Sequence, residues 1–147
     1  MPFRIEDKLV VAVASSALFR LDEADHVFRE EGIAAYRAYQ RKHENKLLET
    51  GIAFPFMRRF LEINHLFPET QPVEVVLLSH NDPDTGMRVF HSIGHYKLDI
   101  TRAAFTGGNS PFRYIPAYNV SLFLSANEDD VRKAISDGYA AGLVLDS

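Results

Sequence analysis

A chain of 147 residues is long enough for a domain with a substantial core, and its 46% hydrophobic content with eleven phenylalanines argues against disorder. The formal net charge is −4, which argues against a general nucleic-acid binder because such proteins need a concentrated positive surface. The chain has no cysteine, which excludes disulfides, zinc–thiolate sites and a cysteine nucleophile.

The N-terminal segment lacks the features of a secretory signal, since Glu6 and Asp7 precede only a short apolar run. No run in the sequence approaches the ~20 apolar residues that a membrane-spanning helix needs. The sequence therefore predicts a soluble, cytoplasmic protein with no membrane partner and no nucleic-acid partner.

Five short apolar runs predict β-strands. Each run is continuously hydrophobic rather than alternating, as expected for parallel strands that are covered on both faces. In chain order the runs are Lys8–Ala14, Val73–Ser79, Arg102–Thr106, Val120–Leu124 and Gly142–Leu145.

Three helical patterns lie between the first two strands and predict a helical, cap-like insertion over about residues 22–68. The first pattern starts at Asp22, a residue suited to an N-cap, and ends at Gly32. The third ends where Pro68 stops it. The second places three residues on one stripe: Ile33, Tyr36 and Tyr39.

Two further helices are predicted in the second half of the chain. One has Pro83 at its first position, where the missing N–H costs nothing. The other is capped by Asn127, with Asp130 at the third helical position. Its inner stripe is predicted to be Val131, Ala134, Ile135 and Gly138.

The alternation of strands and helices predicts one α/β domain over residues 1–147, with a doubly wound, mostly parallel, five-stranded, Rossmann-like sheet. In such sheets, ligands bind beyond the carboxyl ends of the strands. Turn chemistry alone explains any one small or polar loop there, but four together favour a phosphate-sized pocket. The four segments are Ser15–Ser16, Ser79–Asn81, Thr106–Asn109 and Ser125–Asn127.

Two of these segments carry groups suited to a phosphate. Backbone N–H groups of Gly107 and Gly108, with the Thr106 hydroxyl, are placed to cradle one, and an ordinary turn is the alternative. The segment is not a P-loop, because the lysine is missing and the glycine spacing differs. The Ser79 hydroxyl is suited to a phosphoryl oxygen, with Asn81 either orienting that oxygen or capping the next helix.

The stretch "FLSANEDDVRKAISDGYAAGLVL" resembles the fourth motif of haloacid-dehalogenase-like phosphatases. The resemblance places Ala126 at the first acidic position of that motif and Asp130 at the second, where a carboxylate would hold magnesium. A capping-box role in the helix is the stronger explanation for Asp130. The same resemblance places Ser79 in the second motif and Arg113 near the position of the expected lysine.

The first motif of that superfamily is an Asp-x-Asp sequence, in which a nucleophile is followed two residues later by an acid/base. In "VVAVASSALF", aligned on Leu18–Phe19, the two positions hold Val13 and Ser15. Neither is a carboxylate, and no base that would activate a serine is evident from the sequence. The sequence therefore predicts weak or absent phosphatase activity for this chain.

The long stretch "VVLLSHNDPDTGMRVFHSIGHYKLDITRAAFTGGNSPFRYIPAYNVSLFLSANEDDV" resembles the cytosolic 5′-nucleotidase I family, and the resemblance covers about Lys8 to Leu145. It implies removal of phosphate from nucleoside monophosphates such as AMP, with Mg²⁺. It also implies that longer members continue into a segment with an Asp-Gly-Asp motif. The chain is then either the first part of a longer enzyme or a short member.

Two functional hypotheses follow. The first is a 5′-nucleotidase-like protein that binds and dephosphorylates nucleoside 5′-monophosphates; the second is a catalytically inactive nucleotide-binding or regulatory module, or part of a larger enzyme. A homo-oligomer is compatible with either. Catalytic candidates are Ser15, Ser79 and Asp130, the last also as a metal ligand. The expected phosphate or nucleotide contacts are Ser15, Ser16, Ser79, Asn81, Thr106, Gly107, Gly108, Asn109 and Arg113.

Overall fold

The computed structural model describes residues 5–79, 83–107, 109 and 111–145, without the side chains of residues 22–25 and 83–84. All five predicted strands are present, with bounds that differ by at most two residues from those expected. They are Leu9–Val13 (β1), Val73–Ser79 (β2), Arg102–Phe105 (β3), Val120–Ser125 (β4) and Ala141–Leu143 (β5).

The predicted helices are also present, together with two four-residue helices. None of the described helices combines the length and apolarity needed to cross a membrane. The helices are Ser15–Leu18 (α1), Asp22–Glu31 (α2), Ile33–Lys42 (α3), Phe54–Leu66 (α4), Pro83–His95 (α5), Tyr114–Ala117 (α6) and Glu128–Ser136 (α7).

The five strands form one parallel sheet in the order β3-β2-β1-β4-β5, which confirms the predicted doubly wound α/β fold. The central strand β1 pairs with β2 on one side and with β4 on the other. The chain winds outward in one direction through β2 and β3 and in the other through β4 and β5. The carboxyl ends of β1 and β4 therefore flank a topological switch point, where such sheets bind ligands.

Both faces of the sheet are buried, which is why the strands are continuously apolar. On β1, Val11 and Val13 face a core formed with α1, α4 and α5. Val10 and Ala12 face a second core formed with α6 and α7. Successive side chains of a strand point to opposite faces, so one short strand contributes to both cores.

The helices between β1 and β2 pack in two ways. Helix α4 packs directly on β2, and the side-chain amide of Asn64 both donates to and accepts from the backbone of Val73 at 3.0 Å. Helices α2 and α3 pack against each other, and α3 packs against α5.

Two residues that the sequence pattern places on the apolar stripes of helices face solvent. Ile33 is 54% exposed and Ile135 is 55% exposed. Helix α3 buries Tyr36 and Gln40, because it meets α5 through a polar contact rather than an apolar one. Helix α7 buries its narrow stripe of Val131 and Ala134.

Candidate functional site

A cavity of about 700 Å³ opens at the carboxyl edge of the sheet, next to the switch point. Its wall is formed by residues at or just beyond the carboxyl ends of β1, β2, β4 and β5, together with residues 20–21, part of α2 and the segment 51–52. The volume lies within the range of about 300–1,000 Å³ that small-molecule sites occupy. The cavity is therefore the candidate site.

One polar part of this wall is a pair of buried hydroxyls. Ser15 is 2% exposed and Ser79 is 3% exposed, and their Oγ atoms lie 2.8 Å apart. The parallel register that pairs Val13 with Leu77 explains the meeting, because each serine lies two residues further on. Ser16, beside them in the wall, is exposed.

The turn from β4 into α7 forms a second part of the wall. The Ser125 hydroxyl accepts a hydrogen bond from the Asn127 N–H at 3.0 Å. The Asn127 side chain accepts one from the Asp130 N–H at 3.1 Å, which confirms Asn127 as the helix cap. Ala126 and Asn127 border the cavity, whereas Asp130 is not part of its wall.

The turn after β3 lies beside Ser79 but outside the cavity wall. The Thr106 N–H donates to the Ser79 carbonyl at 3.0 Å, and the Thr106 hydroxyl lies near the carbonyls of Ser79 and Asn109. Gly107 has φ +61°, a conformation that favours glycine. The turn thus holds the backbone at the end of β2. Asn81 and Gly108, also predicted to contact phosphate, lie outside the described residues.

Arg113 is placed away from the cavity, just before α6. Its Nη2 donates to the Tyr114 hydroxyl at 3.1 Å, and its guanidinium carbon lies 5.0 Å from the centre of that ring. Of the predicted contacts, the wall therefore brings together Ser15, Ser16 and Ser79. Roles for Thr106, Gly107, Asn109, Arg113 and Asp130 stay predictions.

The wall also includes basic and aromatic side chains that the sequence pattern did not single out: Arg20, Phe28 and Arg29. An antiparallel bridge between Phe19 and Thr50 brings the segment around Gly51 to the mouth of the cavity. The Arg20 N–H donates to the Glu49 carbonyl at 2.9 Å in the same contact. No short motif marks such a bridge.

The charges around the wall favour an anionic ligand. Two arginines border the cavity, against the single carboxylate of Glu128 among the described lining residues. Oε1 of Glu128 lies 2.6 Å from Nη2 of Arg132, which partly neutralises it. The hydrogen bond to Glu128 raises the pKa of Arg132. Among the described lining residues, positive charge is therefore in excess.

This architecture is that of a doubly wound α/β protein with a cleft at its switch point. The chain belongs to the 5′-nucleotidase family, whose family model matches residues 1–147. Cytosolic 5′-nucleotidase 1B of Homo sapiens is 32% identical over 150 residues, an alignment that covers 99% of this chain and 25% of that protein. The chain thus spans about a quarter of the length of this curated relative. No solved structure matches it significantly.

The 5′-nucleotidase family as a whole implies a metal dependence, generally on Mg²⁺. The described residues do not fit that ion, which prefers carboxylate oxygens. At the two positions where the sequence resemblance predicts the Asp-x-Asp carboxylates, Val13 is a fully buried hydrocarbon and Ser15 a buried hydroxyl. Among the described residues, no group of three or more His, Cys, Asp or Glu side chains is placed to hold a metal.

Proposed function

We propose that the cavity binds nucleoside 5′-monophosphates such as AMP, with the phosphate against Ser15, Ser16 and Ser79. The observation that carries the proposal is the buried hydroxyl pair of Ser15 and Ser79 at the carboxyl ends of two neighbouring strands. A cytoplasmic protein without nucleic-acid or membrane partners is part of the same proposal.

The hydroxyl pair suits a phosphate because either oxygen can act as the donor. When one hydroxyl of the pair donates to the other, the accepting hydroxyl can direct its own hydrogen toward a phosphoryl oxygen. Hydrogen bonds to an ionised acceptor are about twice as strong as neutral ones. The guanidinium groups of Arg20 and Arg29 in the same wall add attraction for the anion.

Hydrolysis is the second candidate function, and family membership favours it. Carboxylate attack on phosphorus needs an aspartate at the end of β1, where the chain has Val13 and Ser15. We therefore expect this chain alone to bind the nucleotide with weak or absent turnover, as a binding module or as part of a larger enzyme.

A binding titration beside an assay of phosphate release separates the two functions. With AMP and Mg²⁺, we expect saturable binding and little phosphate release. Ser79→Ala should weaken AMP binding by about tenfold, the loss expected for a hydrogen bond to a charged group. Ser136→Ala, an exposed serine on α7 outside the cavity wall, is the matched control and should bind as the wild type does.

Three results bear on the proposal. Equal AMP affinity in the wild type and Ser79→Ala would contradict the assigned phosphate position. The absence of any AMP binding would contradict nucleotide binding itself. If the wild type releases phosphate and Ser15→Ala abolishes that release, the chain is an enzyme that uses a serine and the binding-module proposal is wrong.

A further inference from the structure

Phe28 is an exposed aromatic side chain on the cavity wall. It lies on α2 and is 49% exposed. Leu21, Ile52 and Leu143 border the same cavity. The cavity therefore has apolar surface in addition to the serine hydroxyls and arginines of its polar surface.

The ring of Phe28 is held by a buried partner. Its centroid lies 5.7 Å from that of Tyr36, and the two rings meet at 84°, an edge-to-face contact. Tyr36 is 6% exposed. Its hydroxyl lies 2.8 Å from Oγ1 of Thr85 and accepts a hydrogen bond from Nε2 of Gln40 at 3.3 Å.

The support extends to a buried arginine on α5. Nη1 of Arg88 donates to Oε1 of Gln40 at 3.1 Å, and its Nε donates to the Lys46 carbonyl at 2.9 Å. Arg88 is only 4% exposed and Gln40 is fully buried. Since this network joins α3 to α5, Tyr36 is a rigid platform for the Phe28 ring.

An exposed ring that is already ordered loses little freedom when a flat ligand stacks on it. We infer that Phe28 is the base-recognition residue of the site and stacks on the nucleobase while the phosphate meets the serine hydroxyls. The inference rests on the proposed nucleotide binding and adds to it a specificity determinant. Purines present a larger ring face than pyrimidines, so AMP should bind more tightly than UMP.

The test compares two ligands that share a phosphate and differ in the base. AMP and ribose 5-phosphate are titrated by calorimetry into the wild type and Phe28→Leu. We expect Phe28→Leu to weaken AMP binding by about tenfold, the effect of one base–aromatic stack, and to leave ribose 5-phosphate binding unchanged. Phe67→Leu is the matched control, because Phe67 is 55% exposed and lies outside the cavity wall.

A spectroscopic readout uses the absence of tryptophan from the chain. Phe28→Trp places a single indole on the cavity wall, and Phe67→Trp places one elsewhere. AMP should quench the fluorescence of Phe28→Trp while ribose 5-phosphate does not, and the Phe67→Trp signal should not respond to either ligand.

Failure of the inference and failure of the proposed function give different results. If the wild type binds ribose 5-phosphate as tightly as AMP, or Phe28→Leu weakens both ligands equally or neither, the stacking role is wrong while phosphate binding stands. If the wild type binds neither ligand, the proposed function is wrong, and the role of Phe28 falls with it.

Discussion

The hydroxyl oxygens of Ser15 and Ser79 lie 2.8 Å apart in the protein interior, although 64 residues separate them in the chain. Ser15 lies two residues beyond the end of β1 and Ser79 ends β2, and the register of β1 with β2 brings them together. The pair is thus part of the structure of the sheet edge as well as a candidate contact for a ligand.

The first prediction concerns the energy of this pair. Ser15→Ala and Ser79→Ala should each lower the free energy of unfolding by about 1 kcal/mol, because each removes a buried hydrogen bond. Since both changes remove the same bond, the double variant should be less destabilised than the sum of the two. Urea unfolding of the four proteins measures the coupling, and strict additivity would show that the hydroxyls do not interact.

The second prediction concerns Gly51 at the mouth of the cavity. A Cβ at this position would lie 2.6 Å from the Ala17 carbonyl oxygen and 3.0 Å from the backbone nitrogen of Phe19. Because backbone atoms cannot move aside cheaply, Gly51→Ala should lower the free energy of unfolding by about 1–3 kcal/mol.

Gly94→Ala on α5 is the matched control, since a Cβ there meets no atom within 4 Å apart from its chain neighbours and the nearby backbone of its own helix. It should be neutral or stabilising, because alanine favours a helix over glycine. Thermal unfolding of Gly51→Ala and Gly94→Ala measures the two changes in stability. A Gly51→Ala protein as stable as the wild type would contradict the close approach of residues 17–19 to residue 51.

The third prediction concerns the contact between α4 and β2. Asn64→Ala leaves the backbone N–H and carbonyl of Val73 without their side-chain partner. We expect a loss of about 2 kcal/mol in chemical denaturation, the cost of losing two buried hydrogen bonds. Glu62→Ala, on the exposed side of the same helix, should change stability little, and an equal effect of both changes would contradict the assigned role of Asn64.

The fourth prediction concerns the pH dependence of stability. Burial raises the pKa of the Glu74 carboxyl above its ordinary value of 4.5, against the opposing hydrogen bond from Arg102 on β3. The native state therefore holds this proton more tightly than the unfolded chain does. As pH rises from the unfolded pKa through the folded pKa, the contribution of Glu74 to stability falls.

Glu74→Gln removes this titration. The free energy of unfolding of the wild type minus that of Glu74→Gln should therefore decrease as the pH rises above the ordinary pKa of 4.5. Exposed Glu69→Gln serves as the control. A difference that is constant or increases with pH would show that burial does not govern the carboxyl.

The sequence allowed the strands to be predicted because parallel strands buried on both faces are continuously apolar. It also placed Ser15 and Ser79 at one edge, since the carboxyl ends of parallel strands share that edge. The Asn127 cap followed from local side-chain chemistry alone. These features depend on residues close in sequence or on general rules of sheet construction.

The remaining wall of the cavity depended on contacts that no local pattern specifies. Phe28 and Arg29 border the cavity because of how α2 is placed, and Arg20 because of the bridge between Phe19 and Thr50. Ile33 is also exposed because of helix packing, since α3 meets α5 through a polar network that includes Tyr36 and Arg88. Helix packing of this kind overrides the apolar pattern of a single helix.

Mapping of AMP binding by two-dimensional NMR tests the location of the nucleotide site most directly. During an AMP titration, the largest shifts of backbone amides should cluster at Ser15, Ser16, Ser79 and Asn127, with Phe28 also shifted. A saturable cluster at these positions is the predicted result. Saturable shifts centred elsewhere, such as around Arg113 beside α6, or no shifts at all, would contradict nucleotide binding in this cavity.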